Sequence, residues 1–260
     1  EDIDKPREQP GAREQILVGL EAFGLKWDKD ESTANYLTND DRNCLVQSER
    51  LDRYQAVFEE LQEQGIVYAC QCTRKQIKAH GGLYQGTCRN LDLAISGNAI
   101  RLKQESPVTE FVDGLFGPIA TESEFAGEDY IIKRRDGLFA YQLVVVIDDI
   151  DQGITEVVRG ADIMPLTTRQ LSLYQLLGYP APTFVHLPLL VQQPGFKLRK
   201  QNKAAPINIQ APQQELIQAM TLLGLPTSDE LADGRVDQLI AWGLAHWQLA
   251  KVPRQEEIQI

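Results

Sequence analysis

The sequence contains few of the features that accompany secretion, membrane insertion or disulfide crosslinking. Its 260 residues include four cysteines, three histidines and two methionines. No apolar run approaches the ~20 residues that a bilayer-spanning helix needs, and residues 1–6 contain no apolar stretch typical of a secretory signal. Three of the cysteines lie close together in the chain, which favours a metal in a reducing compartment over a disulfide scaffold. We therefore expect a cytoplasmic protein with no membrane partner.

Positive charge is also scarce, since 26 lysines and arginines face 37 aspartates and glutamates, for a formal net charge of −11 at pH 7. This balance argues against nonspecific nucleic-acid binding, which needs clustered cations. A selective protein can still carry a local basic track on an acidic body, because the acidic remainder repels other polyanions. For each cation the alternative is a solvated surface charge. The candidates for such a track are Arg74, Lys75, Lys78, Lys133, Arg134, Arg135, Lys197, Arg199, Lys200 and Lys203.

Apolar residues spaced three and four apart predict several helices. Two are expected over 12–23 and 52–64, each ending at a glycine, and two amphipathic helices are expected over 212–223 and 235–248. The polar segment 28–42 is interpreted as a surface excursion, because it is long and has no apolar pattern.

Two apolar runs predict buried strands. Residues 138–147 follow a glycine turn and are almost wholly apolar, as expected for a hairpin arm in a sheet that is buried on both faces. Residues 184–191 predict a second buried strand. Thr167 or Thr168 is expected to cap a helix between the two runs.

The clustered cysteines predict a metal site. Cys70 and Cys72 occupy positions i and i+2 of a predicted strand, so their thiols point to the same side, and Cys88 follows after a glycine-rich turn. Three thiolates and one more donor complete a tetrahedral Zn²⁺ site. Tyr84 and His80 are both candidates for the fourth ligand, and spacing does not choose between them. The alternative is a set of three buried free cysteines.

The apolar run 184–191 leads into a short basic loop, Gly195-Phe196-Lys197-Leu198-Arg199-Lys200. Two lysines three residues apart, on a glycine-containing loop that follows a buried strand, suit a polyanion such as a triphosphate. Taken alone, these residues also fit a solvated surface loop.

Three blocks together resemble the catalytic half of a glutamyl-tRNA synthetase, a class I aminoacyl-tRNA synthetase. They are residues 136–149, DGLFAYQLVVVIDD, residues 153–162, GITEVVRGAD, and residues 197–201, KLRKQ. The last is similar to the family's second signature, Lys-Met-Ser-Lys-Ser or Lys-Leu-Ser-Lys, with arginine in place of serine. The resemblance covers roughly residues 1–30 and 45–205. Within the family the chain is most similar to short paralogues that act on queuosine in tRNA(Asp).

The resemblance implies an α/β fold, namely a Rossmann-type class I synthetase catalytic domain lacking its first strand, with a zinc-bearing inserted subdomain and a small C-terminal helical region. The family's first signature, a His-x-Gly-His-like sequence that follows the first strand, does not occur here. We therefore expect this chain to bind ATP more weakly than an intact relative. The expected divisions are a truncated Rossmann half, the zinc-bearing insertion of the acceptor-end type, the second Rossmann half with the basic loop, and the helical region: residues 1–69, 70–130, 131–205 and 206–260.

The resemblance also implies roles for individual residues. Lys200 and Lys197 are expected to act in catalysis by contacting ATP, accompanied by Mg²⁺, and steadying the pyrophosphate that leaves. Glu1 is expected to meet the ammonium of glutamate, while Tyr141 and Arg159 bind its polar groups. The implied ligands of a structural zinc ion are Cys70, Cys72, Tyr84 and Cys88.

The implied function is the ATP-dependent activation of glutamate and its transfer to the queuosine base of tRNA(Asp), by a ligase expected to be a monomer. Two alternatives remain open. One is glutamylation of the acceptor end of tRNA(Glu), and the other is a catalytically dead, zinc-containing tRNA-binding module. The lack of a large helical anticodon-binding region after residue 206 favours the first function.

Overall fold

The computed structural model describes residues 2–4, 7–26, 46–196, 198, 206–228, 231 and 233–260. Short 3₁₀ turns lie at Gln47–Glu49, Ala161–Leu166 and Leu249–Lys251. The helices are α1 (Ala12–Ala22), α2 (Leu51–Glu63), α3 (Arg74–Ala79), α4 (Ser123–Ala126), α5 (Tyr141–Gln152), α6 (Thr167–Leu177), α7 (Pro212–Leu222) and α8 (Val236–His246). The strands are β1 (Val67–Cys70), β2 (Ala99–Leu102), β3 (Glu110–Asp113), β4 (Gly117–Ala120), β5 (Ile131–Lys133), β6 (Glu156–Gly160), β7 (Thr183–Leu187), β8 (Leu189–Val191) and β9 (Glu257–Gln259).

The described strands form three sheets. An antiparallel sheet has the order β1-β2-β5, a mixed sheet has the order β4-β3-β7-β6, and β8 pairs with β9. In the mixed sheet β7 runs parallel to both β3 and β6. The parallel pair β6 and β7 is connected through α6, which is the crossover that parallel strands require.

The largest core lies between the antiparallel sheet and helices α2, α5 and α6. Helix α2 buries Tyr54, Val57, Phe58 and Leu61, which recur at the spacing of one helical face. The ring of Phe139 packs edge-on against Tyr54 and at a tilt against Phe58. This core fixes the position of α5, the helix whose first residue is a predicted site residue.

The strand prediction for residues 138–147 is wrong, because most of this run forms α5. Its buried residues include Leu143, Val144, Val146 and Ile147, and a helix buried on several sides shows the same continuous apolar run as a buried strand. The preceding turn is confirmed, since Lys133 and Phe139 form an antiparallel bridge.

The run 184–191 forms two strands rather than one. Pro188 separates β7 from β8, and the two strands belong to different sheets. Because proline has no amide hydrogen, it cannot continue a ladder at this position.

The predicted helices over 12–23, 52–64, 212–223 and 235–248 are confirmed as α1, α2, α7 and α8. The threonine cap predicted for α6 is wrong, since Leu166 stands at the N-cap and no side chain caps the helix. The segment 28–42 lies outside the described residues. Within the described residues, no helix combines the length and the apolar character needed to cross a membrane.

A buried polar network joins α2 to α5. Asp148 accepts hydrogen bonds from Arg50 Nε at 3.0 Å and from the Tyr54 hydroxyl at 2.8 Å. Asp151 accepts from Arg50 at 2.6 Å and from Arg53 at 2.8 and 2.9 Å. The side chains of Arg50 and Asp148 are 5% and 7% exposed, whereas Arg53 is 34% exposed. Loss of Arg50 would therefore leave a buried carboxylate without its cation.

We expect Arg50→Ala to lower the free energy of unfolding by about 3 kcal/mol, because it leaves the buried carboxylate of Asp148 without its arginine. The matched control Arg53→Ala removes a more exposed partner of the same network and should cost under about 1 kcal/mol. Urea unfolding followed by circular dichroism measures both. Equal losses for the two variants would contradict the assignment of Arg50 as the buried member.

Candidate active site and metal centre

Tyr141 and Arg159 lie together in the structure. Tyr141 is the first residue of α5, and not part of a strand as expected, while Arg159 lies near the carboxyl end of β6. Burial lowers the pKa of Arg159, and the nearby Tyr141 hydroxyl opposes this change. Tyr141 is 43% exposed and Arg159 is half-buried. A cation is therefore held beside a hydroxyl at the protein surface.

The guanidinium of Arg159 is oriented by three further groups. Its Nη2 donates to Thr167 Oγ1 at 2.7 Å, and its Nε donates to His186 Nε2 at 3.0 Å. It also lies 4.9 Å from the centroid of the Phe184 ring. Thr167, expected to be a helix cap, instead uses its hydroxyl to hold this arginine.

His186 is held in one tautomer by Asp113. The two side chains are completely buried, and Nδ1 of His186 lies 2.7 Å from Asp113 Oδ2. Because Arg159 can only donate, we assign Nε2 as the acceptor, so Nδ1 carries the proton and donates it to Asp113. Burial lowers the pKa of His186, and the charge of Arg159 adds to this effect, while Asp113 opposes it. The imidazole is thus neutral, as the hydrogen bond from Arg159 requires.

Asp113 also closes the turn between β3 and β4. Its Oδ1 accepts the backbone N–H groups of Leu115 and Phe116, each at 2.9 Å, and its Oδ2 accepts the backbone N–H of His186 at 3.1 Å. The sequence analysis assigned no role to Asp113 or His186. One feature of the sequence could have identified this pair: His186 interrupts the apolar run of β7, and a polar residue there needs a buried hydrogen-bond partner.

Asp149 is a second carboxylate near the site that the sequence analysis did not assign. Burial, with a contribution from Asp148, raises the pKa of Asp149 to about 6, and its hydrogen bond from Tyr174 and the charge of Arg159 oppose this rise. The Tyr174 hydroxyl donates to Asp149 Oδ2 at 3.1 Å. A cation and a carboxylate in one region are chemically suited to a zwitterion.

A cavity of about 830 Å³ opens where β6 and β7 end. Its lining includes Ala161 and Asp162, directly after β6, as well as Leu189, Gly195 and the acidic residues Glu122, Glu256 and Glu257. Ligands of open α/β sheets bind beyond the carboxyl ends of parallel strands. Tyr141 and Arg159 do not line this cavity, but Arg159 precedes its first β6-side residue by only two positions. Arg159 and this side of the cavity therefore both lie at the carboxyl end of β6.

Gly160 permits the close approach of the chain at the edge of this cavity. A Cβ at this position would lie 2.9 Å from Asp162 Oδ1 and 3.0 Å from a methyl group of Leu189. A larger residue here would require the side chains of Asp162 and Leu189 to shift.

Four of the predicted site positions lie outside the described residues: Glu1, Lys197, Arg199 and Lys200. The described Leu198 donates its backbone N–H to Leu190 at 3.0 Å, which brings the chain back to β8 at this point. Tyr141 and Arg159 lie near each other, while their binding of glutamate and the approach of Lys200 to them remain predictions.

Three thiols lie close enough together to hold a metal ion. The sulfur atoms of Cys70, Cys72 and Cys88 all lie within 4.8 Å of one another, and those of Cys72 and Cys88 are 3.6 Å apart. Thiolates bound at about 2.3 Å in a tetrahedron are separated by about 3.8 Å. Burial and the neighbouring Cys88 thiol raise the pKa of Cys72 to about 12, so its ionisation needs a cation. The donor set fits a divalent metal.

Tyr84 is better placed than His80 to complete this group. The Tyr84 hydroxyl accepts the backbone N–H of Cys88 at 2.7 Å, and Tyr84 packs in the same buried cluster as Cys70 and Cys88. His80 is exposed, and its Nδ1 contacts the carbonyl of Gln76. Among the described His, Cys, Asp and Glu side chains, the three thiols form a group that could hold a metal ion, and His80 is not part of it.

We expect the chain to bind one equivalent of Co²⁺ with an absorption band characteristic of thiolate ligation. Cys72→Ser should weaken the apparent affinity by about 10-fold or more, because a thiolate ligand is removed. Tyr84→Phe should weaken it, and His80→Ala, the control, should leave it unchanged. Spectrophotometric titration measures all four proteins. A His80→Ala loss as large as that of Cys72→Ser would show that His80 is a ligand.

Comparison with known protein families identifies the chain as a synthetase domain. The family described as "tRNA synthetases class I (E and Q), catalytic domain" matches residues 1–233. Proteins named glutamyl-Q tRNA(Asp) synthetase are similar over nearly the whole chain. That of Vibrio parahaemolyticus is 47% identical over 258 residues, covering 99% of this chain and 83% of its own length. That of Shewanella oneidensis is 48% identical over 258 residues, covering 99% and 81%.

A solved structure supports the fold. The crystal structure of glutamate-tRNA synthetase from Elizabethkingia anophelis superposes with a TM-score of 0.74 at 22% identity, covering 98% of this chain. This chain spans 59% of the length of that protein. The expected α/β synthetase fold is confirmed at this level, with mixed sheets and a cysteine cluster. Because the family match extends over residues 1–233 and the sequence identity over nearly all of the chain, this protein belongs to the catalytic-domain family of the class I tRNA synthetases for glutamate and glutamine.

Proposed function

We propose that this chain activates glutamate with ATP and transfers it to the queuosine base of tRNA(Asp). The observation that carries this proposal is the 44–48% identity to proteins named glutamyl-Q tRNA(Asp) synthetase, which extends over 99–100% of the chain. Glutamylation of tRNA(Glu) and a catalytically dead RNA-binding module are not favoured by these relatives. We retain the four expected divisions, residues 1–69, 70–130, 131–205 and 206–260, as part of the proposal.

Glutamate binds at Arg159 and Tyr141 in this proposal. Thr167 and His186 hold Arg159, and a preorganised guanidinium recognises a carboxylate with two parallel hydrogen bonds. Tyr141 offers an exposed hydroxyl beside it. The ammonium group of glutamate is assigned to Glu1, and the carboxylate of Asp149 supports positive charge in the same region.

The first chemical step forms an acyl adenylate. The α-carboxylate of glutamate attacks the α-phosphorus of ATP, the bond to the bridging oxygen breaks, and pyrophosphate leaves. The protein aligns the two anions and neutralises the charge that develops. We assign Lys200 and Lys197 to the phosphates, which are accompanied by Mg²⁺.

The second step transfers the glutamyl group to RNA. A hydroxyl of the queuosine cyclopentenediol attacks the acyl carbon of the adenylate, an ester bond forms, and AMP leaves. The hydroxyl proton passes to solvent or to the leaving phosphate. The site that holds the adenylate must therefore be accessible to the RNA after pyrophosphate has left.

A zinc ion is assigned to Cys70, Cys72, Cys88 and Tyr84. When bound, it crosslinks the end of β1 to the segment that follows α3. Four protein ligands leave no open coordination position, so its role is structural.

We expect glutamate-dependent exchange of labelled pyrophosphate into ATP, and incorporation of labelled glutamate into tRNA(Asp) that carries queuosine. Queuosine-free tRNA(Asp) and tRNA(Glu) are the matched RNA controls and should not be labelled. Labelling of tRNA(Glu) would favour the acceptor-end alternative. RNA binding without any exchange would identify the chain as a binding module and end the enzyme proposal.

His186 is a positioning residue for Arg159 in this scheme. His186→Gln should raise KM for glutamate by about 10-fold or more with KM for ATP unchanged, because a hydrogen bond to a charged group is disturbed. The control His246→Gln changes a histidine that stacks on Trp242 away from Arg159, and should leave both constants unchanged. The exchange assay measures both variants. A loss of stability with unchanged KM for glutamate would show that His186 is only structural.

A further inference from the structure

A second cavity, of about 390 Å³, lies between α3, β5 and the start of α6. Four cationic side chains line it, and one carboxylate does so. They are Arg74, Lys78, Arg101 and Arg169, with Glu128. This concentration of positive charge stands out on a chain whose formal net charge is −11.

Glu128 and Arg169 satisfy each other within the fold. Arg169 Nη2 donates to Glu128 Oε2 at 2.6 Å and to the carbonyl of Phe125 at 2.8 Å. Glu128 Oε1 accepts the backbone N–H of Tyr84 at 2.8 Å. The single carboxylate is therefore neutralised by Arg169, and within the described residues no carboxylate forms an ion pair with the other three cations.

Arg74 and Lys78 lie four residues apart on α3, so they share one face of the helix. Both are exposed. Within the described residues neither forms a hydrogen bond or an ion pair. Their charges are thus available to a ligand at the rim of the cavity.

Arg101 brings a cation from the inner side of the cavity. It is 3% exposed, stacks on the Tyr84 ring at 3.6 Å, and donates through Nη1 to the carbonyl of Asp129. Its Nε is buried and has no hydrogen-bond partner in the described structure. A buried donor without a partner is costly and calls for an acceptor.

We propose that this cavity binds a phosphate group of the RNA backbone. Guanidinium groups donate to phosphate oxygens in pairs, and an ammonium group adds a point charge. Helix α6 connects this cavity to the candidate active site, since Thr167 holds Arg159 and Arg169 lines the cavity two residues later. The inference rests on the proposed function for the identity of the RNA.

The test compares two double variants that remove the same charge. Arg74→Gln/Lys78→Gln changes the rim of the cavity, and Lys26→Gln/Lys251→Gln changes exposed lysines that do not line it. The probe is queuosine-bearing tRNA(Asp), titrated at several salt concentrations by filter binding. Pyrophosphate exchange is measured on the same proteins, so RNA affinity and glutamate activation are read separately.

We expect the rim variant to bind the RNA about 10-fold or more weakly, because its side chains no longer form charge-assisted hydrogen bonds with the phosphate. The slope of log affinity against log salt should fall by about 1 for each phosphate that the variant no longer neutralises. The control should bind like the unmodified chain, and exchange should be unchanged in both variants.

Several outcomes would overturn the proposal. Unchanged RNA affinity in the rim variant would do so, and so would equal losses in the two variants, which would indicate general electrostatics. A rise in KM for ATP with unchanged RNA affinity would assign the cavity to a nucleotide.

One outcome separates this proposal from the proposed function. Selective loss of RNA affinity in the rim variant, with no pyrophosphate exchange by the unmodified chain, would support the cavity and reject the proposed enzyme.

Discussion

The carboxylate of Asp113 is the group on which the mixed sheet and the candidate site both depend. It is buried, yet it accepts four hydrogen bonds, from the backbone N–H groups of Leu115, Phe116 and His186 and from the His186 ring. Burial of a carboxylate is unfavourable unless such hydrogen bonds offset the cost of removing it from water. Because Asp113 takes the Nδ1 proton of His186, the other ring nitrogen can accept from Arg159. One buried acid thus determines the direction of a half-buried cation.

The arginines of this acidic chain have two different kinds of partner. Arg50 and Arg53 form ion pairs with carboxylates that join helices. Arg159 is held by the neutral acceptors Thr167 and His186. Arg74 and Lys78 have no partner in the described fold. Cations without carboxylate partners thus occur near α6 and α3. This distribution explains how an acidic body remains compatible with anionic substrates.

Local patterns predicted the helices of the chain well and its buried segments poorly. The spacing of Tyr54, Val57, Phe58 and Leu61 is that of one helical face, and α2 follows it. Residues 141–152 are apolar on several sides, so period alone could not separate a buried helix from a buried strand. The close approach of three cysteines was predictable because two of them flank the end of one strand and the third follows after glycine turns.

The sequence by itself determined the family, the class of chemistry and the residue types of the site, because these depend on blocks that are continuous along the chain. Only the tertiary structure decided which residues meet. Asp113 and His186 are 73 residues apart, and Arg159 reaches His186 because β6 and β7 are parallel neighbours with these two residues in register. Such pairings depend on sheet order, which no local pattern encodes. For the same reason the sequence did not predict the basic cavity, because its cations come from α3, β2 and α6.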